Sequence, residues 1–373
     1  MTRPAVVLHV HAGNRYGGIE TALVTLARHR KATPLVAHHF ALCFHDRLAR
    51  ELEAAGAAVS LLGPARVSRP WSVFRARQRL GALLAELEPD VVVHHAPWSQ
   101  ALFAPVARAR DRRVAFWLHG AVTGQHWLEH WAAGTPPSLA ICNSRFTAAT
   151  LPAMYPTVTP VVVHVPVAPP EIDDVHATRR RVRAQLGARD AECVILQVGR
   201  MEAGKGYDVH LQALATLSGL DWTCWMVGDA VTPRERAYRH ELAQTARRLA
   251  IADRVRFLGP RSDVANLLAA ADLYCQPNTA PEGFGVTLVE ALYAGVPVVT
   301  SAMGGALEIV TEGCGALVPP GAVRHLSGAL RRLIESPTHR DALRAAGPAR
   351  ARGLCDPEQT VRRLAAVLFP GGG

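Results

Sequence analysis

The sequence predicts an α/β protein built from two doubly wound, Rossmann-like domains, and three observations carry that prediction. Apolar strand-like runs alternate with helical patterns almost throughout, as in parallel sheets joined by crossover helices. The chain has 373 residues, more than the roughly 250–300 at which a single hydrophobic core stops growing. A Pro-rich stretch at Pro166, Pro169 and Pro170 breaks the alternation near the middle, as an interdomain linker would.

The elements follow in order. In the first half, strands are expected near 5–10, 36–44, 59–62, 91–95, 114–119 and 139–143, with helices at about 18–30, 46–55, 71–88, 99–110 and 144–150 between them. The opening apolar run is brief, includes His9, and lacks a small-residue cleavage site, so it reads as a first buried strand rather than a signal peptide. A second series of strands is expected near 193–198, 223–227, 255–258, 273–275, 296–300 and 316–318. This gives an N-terminal domain over 1–168 and a C-terminal domain over 169–356, with a last helix at about 357–370 packing back on the first. Two such domains in tandem would turn the carboxyl ends of their sheets toward a cleft, where doubly wound sheets bind ligands.

Composition narrows the class. Hydrophobic residues make up 49% and charged residues 19%, which excludes a mostly disordered chain. No apolar run approaches the roughly 20 residues a membrane-spanning helix needs. Seven cysteines without a C-x-x-C pair point to free thiols in a reducing cytoplasm. The net charge of +10 is uneven: residues 1–168 carry 17 Lys+Arg against 9 Asp+Glu, and the remainder 24 against 22. A basic first half suits an anionic surface or acceptor. Lys31 and Lys205 are the only lysines among 41 basic residues. A lysine kept in so Arg-rich a chain suggests a site that needs a compact ammonium.

Three motifs lie at expected strand ends. Gly13-Asn-Arg-Tyr-Gly17-Gly18-Ile-Glu20 follows the first strand, and its paired glycines open a helix whose amides can meet a phosphate. Its spacing is not that of the dinucleotide fingerprint. Gly199-Arg200-Met-Glu-Ala-Gly204-Lys205-Gly206 matches the first seven positions of a P-loop but has Gly206 where that loop needs a magnesium-binding hydroxyl. We read it as a phosphate site without the metal apparatus, Arg200 offering a planar donor fork and Lys205 a point charge. Pro281-Glu282-Gly283-Phe284-Gly285-Val-Thr-Leu-Val-Glu290 places two carboxylates eight residues apart, Glu282 in a Gly-rich loop and Glu290 about two turns into the next helix. Glu290 suits ribose hydroxyls and Glu282 sugar hydroxyls, with the loop amides free to receive an anion.

Together these elements resemble retaining glycosyltransferases of family 4, which have the GT-B fold. Met303-Gly304-Gly305-Ala306-Leu307-Glu308 and Glu312-Gly-Cys-Gly315-Ala-Leu-Val318 are similar to that family's closing elements. The similarity covers nearly the whole chain and is most specific over 193–320; the N-terminal half matches in layout and a few residues. The resemblance implies a retaining, metal-independent hexosyltransferase using a UDP- or GDP-sugar and no cofactor. Its acceptor would be a glycan, a lipid-linked molecule or a small molecule held by the N-terminal domain. Arg200 and Lys205 would bind the donor diphosphate, Glu290 the ribose and Glu282 the transferred sugar. Gly17, Gly18, Gly199, Gly283, Phe284 and Gly285 would line the donor, and the segment containing Leu258 would read the nucleobase through its backbone. His119 stands where the family often has an active-site histidine.

Other readings compete. A GT-B epimerase or phosphorylase would use the same motifs. His126-Trp-Leu-Glu129-His130 matches the inverted zinc-peptidase pattern, placing two histidines on one helix face. A pI of 9.7 is compatible with nucleic-acid binding, but no stacking module accompanies the Arg108–Arg113 cluster, so no nucleic-acid partner is expected. Arg75, Arg77 and Arg79 share a helix with Trp71, Phe74, Leu80, Leu83 and Leu84. That helix either docks on an anionic membrane, making the protein peripheral on its inner face, or is a solvated face with a buried side. The oligomeric state is left open.

Overall fold

A computed structural model describes residues 3–14 and 16–371. The chain divides into two compact units, one running to Ala168 and resuming at Cys355, the other spanning Pro169–Leu354.

The first unit holds a seven-stranded sheet of β1 (Ala5–His11), β2 (Val36–Leu42), β3 (Ala58–Leu61), β4 (Val91–His95), β5 (Arg113–Leu118), β6 (Leu139–Cys142) and β7 (Pro160–Val162), in the order β3-β2-β1-β4-β5-β6-β7. Every pairing is parallel. The central strands are fully buried, as the near-continuous Val91-Val-Val and Phe116-Trp-Leu runs require when helices cover both faces. The seventh strand was not expected: it has only three residues, and the sequence reading ended the strands of this half near 143. Pro160 is the first residue of an edge strand, where the missing N–H costs no ladder bond.

The second unit holds β8 (Cys193–Val198), β9 (Trp222–Val227), β10 (Val255–Gly259), β11 (Leu273–Gln276), β12 (Val298–Ser301) and β13 (Gly315–Val318), in the order β10-β9-β8-β11-β12-β13. All are parallel, and strand order reverses between β8 and β11. Asp272, just before β11, accepts from Val194 N at 2.9 Å and pairs with Arg179 at 2.7 Å and the buried Arg183 at 3.0 Å, which ties the helix Val175–Gln185 under the sheet.

The last helix, Pro357–Leu368, lies with the first unit. Asp356 caps it by accepting from Gln359 N at 2.9 Å, Val167 N bonds Cys355 O at 3.1 Å, and Arg113 donates to Leu368 O. All seven cysteines are buried, and none is in a disulfide. Among the described residues no helix is long and apolar enough to cross a membrane.

Candidate functional site

The two most specific motifs meet at the reversal point of the second sheet. The chain leaves β8 through Gly199, forms a single 3-10 turn at Ala203–Lys205, and enters the helix Tyr207–Ala215. It leaves β11 through Pro277–Gly285 and enters the helix Val286–Tyr293. Because β8 and β11 are neighbours, these two loops lie side by side at the carboxyl edge, where such sheets receive ligands.

Lys205 Nζ donates to Glu282 Oε1 at 2.9 Å. The other carboxylate oxygen accepts from Gln276 Nε2 at 2.8 Å and from Asn278 Nδ2 at 3.1 Å. Gln276 is held in turn by Tyr274, whose hydroxyl donates to its Oε1 at 2.6 Å. Burial alone would raise the Glu282 carboxyl, but the Lys205 ammonium and the two amides hold it below its ordinary value, so it is a carboxylate. Lys205 and Glu282 keep 20% and 25% of their side-chain surface exposed, enough for a ligand to reach both.

Glycine is required where the loops touch. Gly206 has φ +67°, and a Cβ there would lie 1.8 Å from Pro277 O. Close approach to the β11 loop therefore explains Gly206 without reference to magnesium. Gly304 has φ +59° and a Cβ would lie 2.4 Å from Glu282 O, while Gly305 N donates to that same oxygen at 2.9 Å. Gly304 and Gly305 thus brace the backbone of Glu282.

Other expected residues are placed differently. Arg200 is half-exposed and pairs with Glu202 at 2.6 Å, whereas Lys205 pairs with Glu282. Glu290 is the fifth residue of its helix, little more than one turn in rather than two, because the helix starts only after Gly285. Its carboxyl has no hydrogen-bond partner among the described residues, and burial pushes it up to about 7. Phe284 is buried, and Leu258 lies in β10 beside a register shift between Phe257 and Gly259.

In the first unit, Gly17 precedes the helix Gly18–Arg28 at the carboxyl end of β1, again beside a reversal point, between β1 and β4. His11, ending β1, bonds Glu20 of that helix at 2.7 Å. His119 follows β5; its Nε2 lies 2.9 Å from His95 Nδ1, and burial lowers it to about 3, so it is neutral. The His126–His130 segment has structural roles: His126 Nδ1 accepts from Leu128 N at the start of a helix, and Glu129 accepts from Thr123 N and Oγ1. Among the described residues no group of three His, Cys, Asp or Glu side chains is arranged for a metal ion.

Sequence reading missed Gln276 and Asn278, which donate to Glu282, and Tyr274, which holds Gln276. A buried Gln at a strand's carboxyl end, with Asn two residues on, was the available signal.

An ammonium–carboxylate pair and glycine-rich turns at the reversal point of a parallel sheet define an α/β domain suited to a phosphorylated, hydroxyl-bearing ligand. More specifically, residues 178–350 match the family model described as "Glycosyl transferases group 1". The resemblance to family 4 therefore stands at this broader level. The chain is 36% identical over 181 residues to the D-inositol 3-phosphate glycosyltransferase of Mycobacterium marinum, covering 45% of this chain and 38% of that protein. It is 33% identical over 208 residues to the GDP-mannose-dependent monoacylated alpha-(1-6)-phosphatidylinositol monomannoside mannosyltransferase of Corynebacterium glutamicum, covering 52% and 51%. The alignments span about half or less of these relatives. Across 97% of its length the chain shares its fold with Anabaena HepE, whose crystal structure holds UDP-glucose, at 24% identity and a TM-score of 0.83 over 99% of that chain. The fold is of the GT-B class, as the motifs implied.

Proposed function

We propose that the protein is a retaining glycosyltransferase that moves a hexosyl unit from a UDP- or GDP-sugar to a glycan, lipid-linked or small-molecule acceptor. The carrying observation is the Lys205–Glu282 pair at the β8/β11 reversal point. A donor diphosphate at this edge would offer Lys205 a second anion, and the ammonium would counter charge as it develops on the leaving group, usually the largest catalytic contribution. Glu282, held as a carboxylate from behind by Gln276 and Asn278, would accept hydrogen bonds from the sugar hydroxyls. Glu290 would take the ribose hydroxyls, and the ribose would give its carboxyl the partners it lacks. Arg200 would exchange Glu202 for phosphate. Gly17 and Gly18 would offer amides at a helix start, and neutral His119 a hydroxyl contact. The acceptor hydroxyl would attack from the face the diphosphate leaves, with phosphate taking its proton, so no protein nucleophile is required.

The match of residues 178–350 and the relatives' names support this over an epimerase or phosphorylase. The test is consumption of UDP- and GDP-sugars with and without added glycan or lipid-linked acceptors, in EDTA. Acceptor-dependent product with the donor's anomeric configuration supports the proposal. Activity that vanishes with EDTA and returns with magnesium or manganese contradicts metal independence.

A second reading concerns location, in the cytoplasm and peripheral on an anionic membrane. At the start of the helix Pro70–Leu87, Trp71 and Phe74 are 77% and 51% exposed and stack edge-on. Arg75 is exposed beside them. Arg77 and Arg79 are engaged elsewhere: Arg77 donates to Leu102 O at 2.6 Å, next to the turn that Pro105 deprives of an N–H, and Arg79 to Leu62 O. Leu80 and Leu84 are buried. The docking element we propose is accordingly the first turn, not the whole helix.

A further inference from the structure

Four histidines, three in the adjacent strands β2, β1 and β4 and one directly after β5, form a continuous hydrogen-bonded line along the first sheet. His38 Nδ1 lies 3.0 Å from His9 Nε2, His9 Nδ1 3.0 Å from His95 Nε2, and His95 Nδ1 2.9 Å from His119 Nε2. Consecutive rings stack, with centroids 5.2, 5.3 and 5.2 Å apart. Register builds the line: β2, β1 and β4 pair side by side, β4 pairs with β5, and His119 follows β5 directly. The two terminal nitrogens, His38 Nε2 and His119 Nδ1, are buried and have no hydrogen-bond partner among the described residues.

The connectivity has a strict consequence. Every link joins Nδ1 of one ring to Nε2 of the next. A neutral imidazole has one N–H and one lone pair. All three links are therefore satisfied in only two ways: all four rings protonated on Nδ1, or all four on Nε2. Any mixture among neutral rings leaves two donors or two lone pairs facing each other in a buried site, which is costly. In the first arrangement His119 Nδ1 presents an N–H; in the second it presents a lone pair. Interconversion passes a proton across each of the three links, with one proton entering at one end and one leaving at the other, so net charge is unchanged. The charged or titratable groups around the line are Arg30 at the His38 end, His11 with its partner Glu20 near His95 and His119, and His94 behind His95. Burial keeps the four rings neutral at neutral pH.

We propose that His38, His9 and His95 are positioning residues that share one tautomeric sense with His119 and so set whether its Nδ1 meets a ligand as donor or acceptor. This rests on reading His119 as a ligand contact, but the coupling itself is testable without ligand. Nitrogen-15 histidine-labelled full-length protein at neutral pH, observed by long-range proton–nitrogen correlation, should show all four residues neutral and protonated on the same nitrogen. His9→Phe and His38→Phe keep a stacking ring but remove nitrogens, and either should move the His119 nitrogen signals toward a mixture of tautomers. A purely packing role would lower stability and leave those signals in place. Mixed tautomers, or an imidazolium among the four in the wild type, would overturn the proposal. So would an unshifted His119 in every variant that folds. If both variants fail to fold, the wild-type spectrum alone decides. A common sense that holds in a protein showing no transferase activity would keep the coupling and reject only the ligand-contact reading.

Discussion

Lys205 Nζ lies 2.9 Å from Glu282 Oε1, and that contact joins the loop after β8 to the loop after β11. It sets two charges of opposite sign where a phosphate and a sugar would need them. Removing one partner leaves the other charge partly buried. A double-mutant cycle of Lys205→Met and Glu282→Gln, read by urea denaturation, should give a coupling energy of about 1–2 kcal/mol, reduced from the fully buried case by the remaining exposure. Additive effects would show that the pair does not hold the loops together.

Lys205→Ala should cost on the order of 2–4 kcal/mol of transition-state stabilisation in the transfer reaction. The measurement is kcat/KM for the nucleotide sugar. A variant within a factor of two of wild type would remove Lys205 from the site.

The two carboxylates should fail differently. Ribose contacts persist in ground and transition states alike, so Glu290→Ala should reduce the rise in Tm given by a nucleoside diphosphate. Glu282→Ala should preserve most of that rise and slow turnover. The opposite ranking would exchange the two assignments.

Gly206→Ala should destabilise the protein by about 2–4 kcal/mol, because the new methyl meets Pro277 O in a left-handed backbone conformation. Chemical denaturation measures it. A change below about 0.5 kcal/mol, the usual surface value, would mean the loops separate more easily than their geometry implies.

Acid should destabilise the fold steeply, starting at a pH unusually near neutral. Burial lowers His9, His38, His94, His95, His119 and His210, with His38 near 4 and His94, His119 and His210 near 3. Their contribution is present above about 6.5, the unfolded value, and is lost as pH falls toward those folded values, because the unfolded chain takes up protons the folded one refuses. Glu290 acts oppositely: its carboxyl is raised to about 7, so its contribution is full below about 4.5 and is lost as pH rises through 7. Six imidazoles outweigh one carboxyl. The urea midpoint should therefore fall between pH 6.5 and 4, and Glu290→Gln should flatten the alkaline side near pH 7. A flat midpoint over that acid range would contradict the neutral histidine core.

Cosedimentation with liposomes tests the exposed first turn. Binding should need anionic lipid, weaken as salt rises, and drop with Trp71→Ser/Phe74→Ser. Protein left in the supernatant at low salt would reject membrane docking.

The sequence showed the alternation of strands and helices and the residues at their carboxyl ends, because parallel sheets leave near-continuous apolar runs and glycine marks the turns. Lys205 stood out as one of two lysines, and Glu282 and Glu290 by their glycine-rich spacing. What stayed hidden depends on register between distant strands. No local pattern announces that residues 38, 9, 95 and 119 line up, or that Gln276 and Asn278 hold Glu282. The β7 strand escaped notice because it is only three residues long and opens on Pro160, a residue that argues against a strand. Arg77 read as a surface charge because nothing local ties it to carbonyls beside Pro105.

Nucleotide binding at the Lys205 loop is tested most directly by calorimetric titration of the full-length protein with UDP, GDP and ADP, repeated on Lys205→Ala. One or two of these diphosphates should bind with unit stoichiometry in EDTA, and the variant should lose at least tenfold in affinity. No binding by any of the three, or equal binding by wild type and variant, would contradict it.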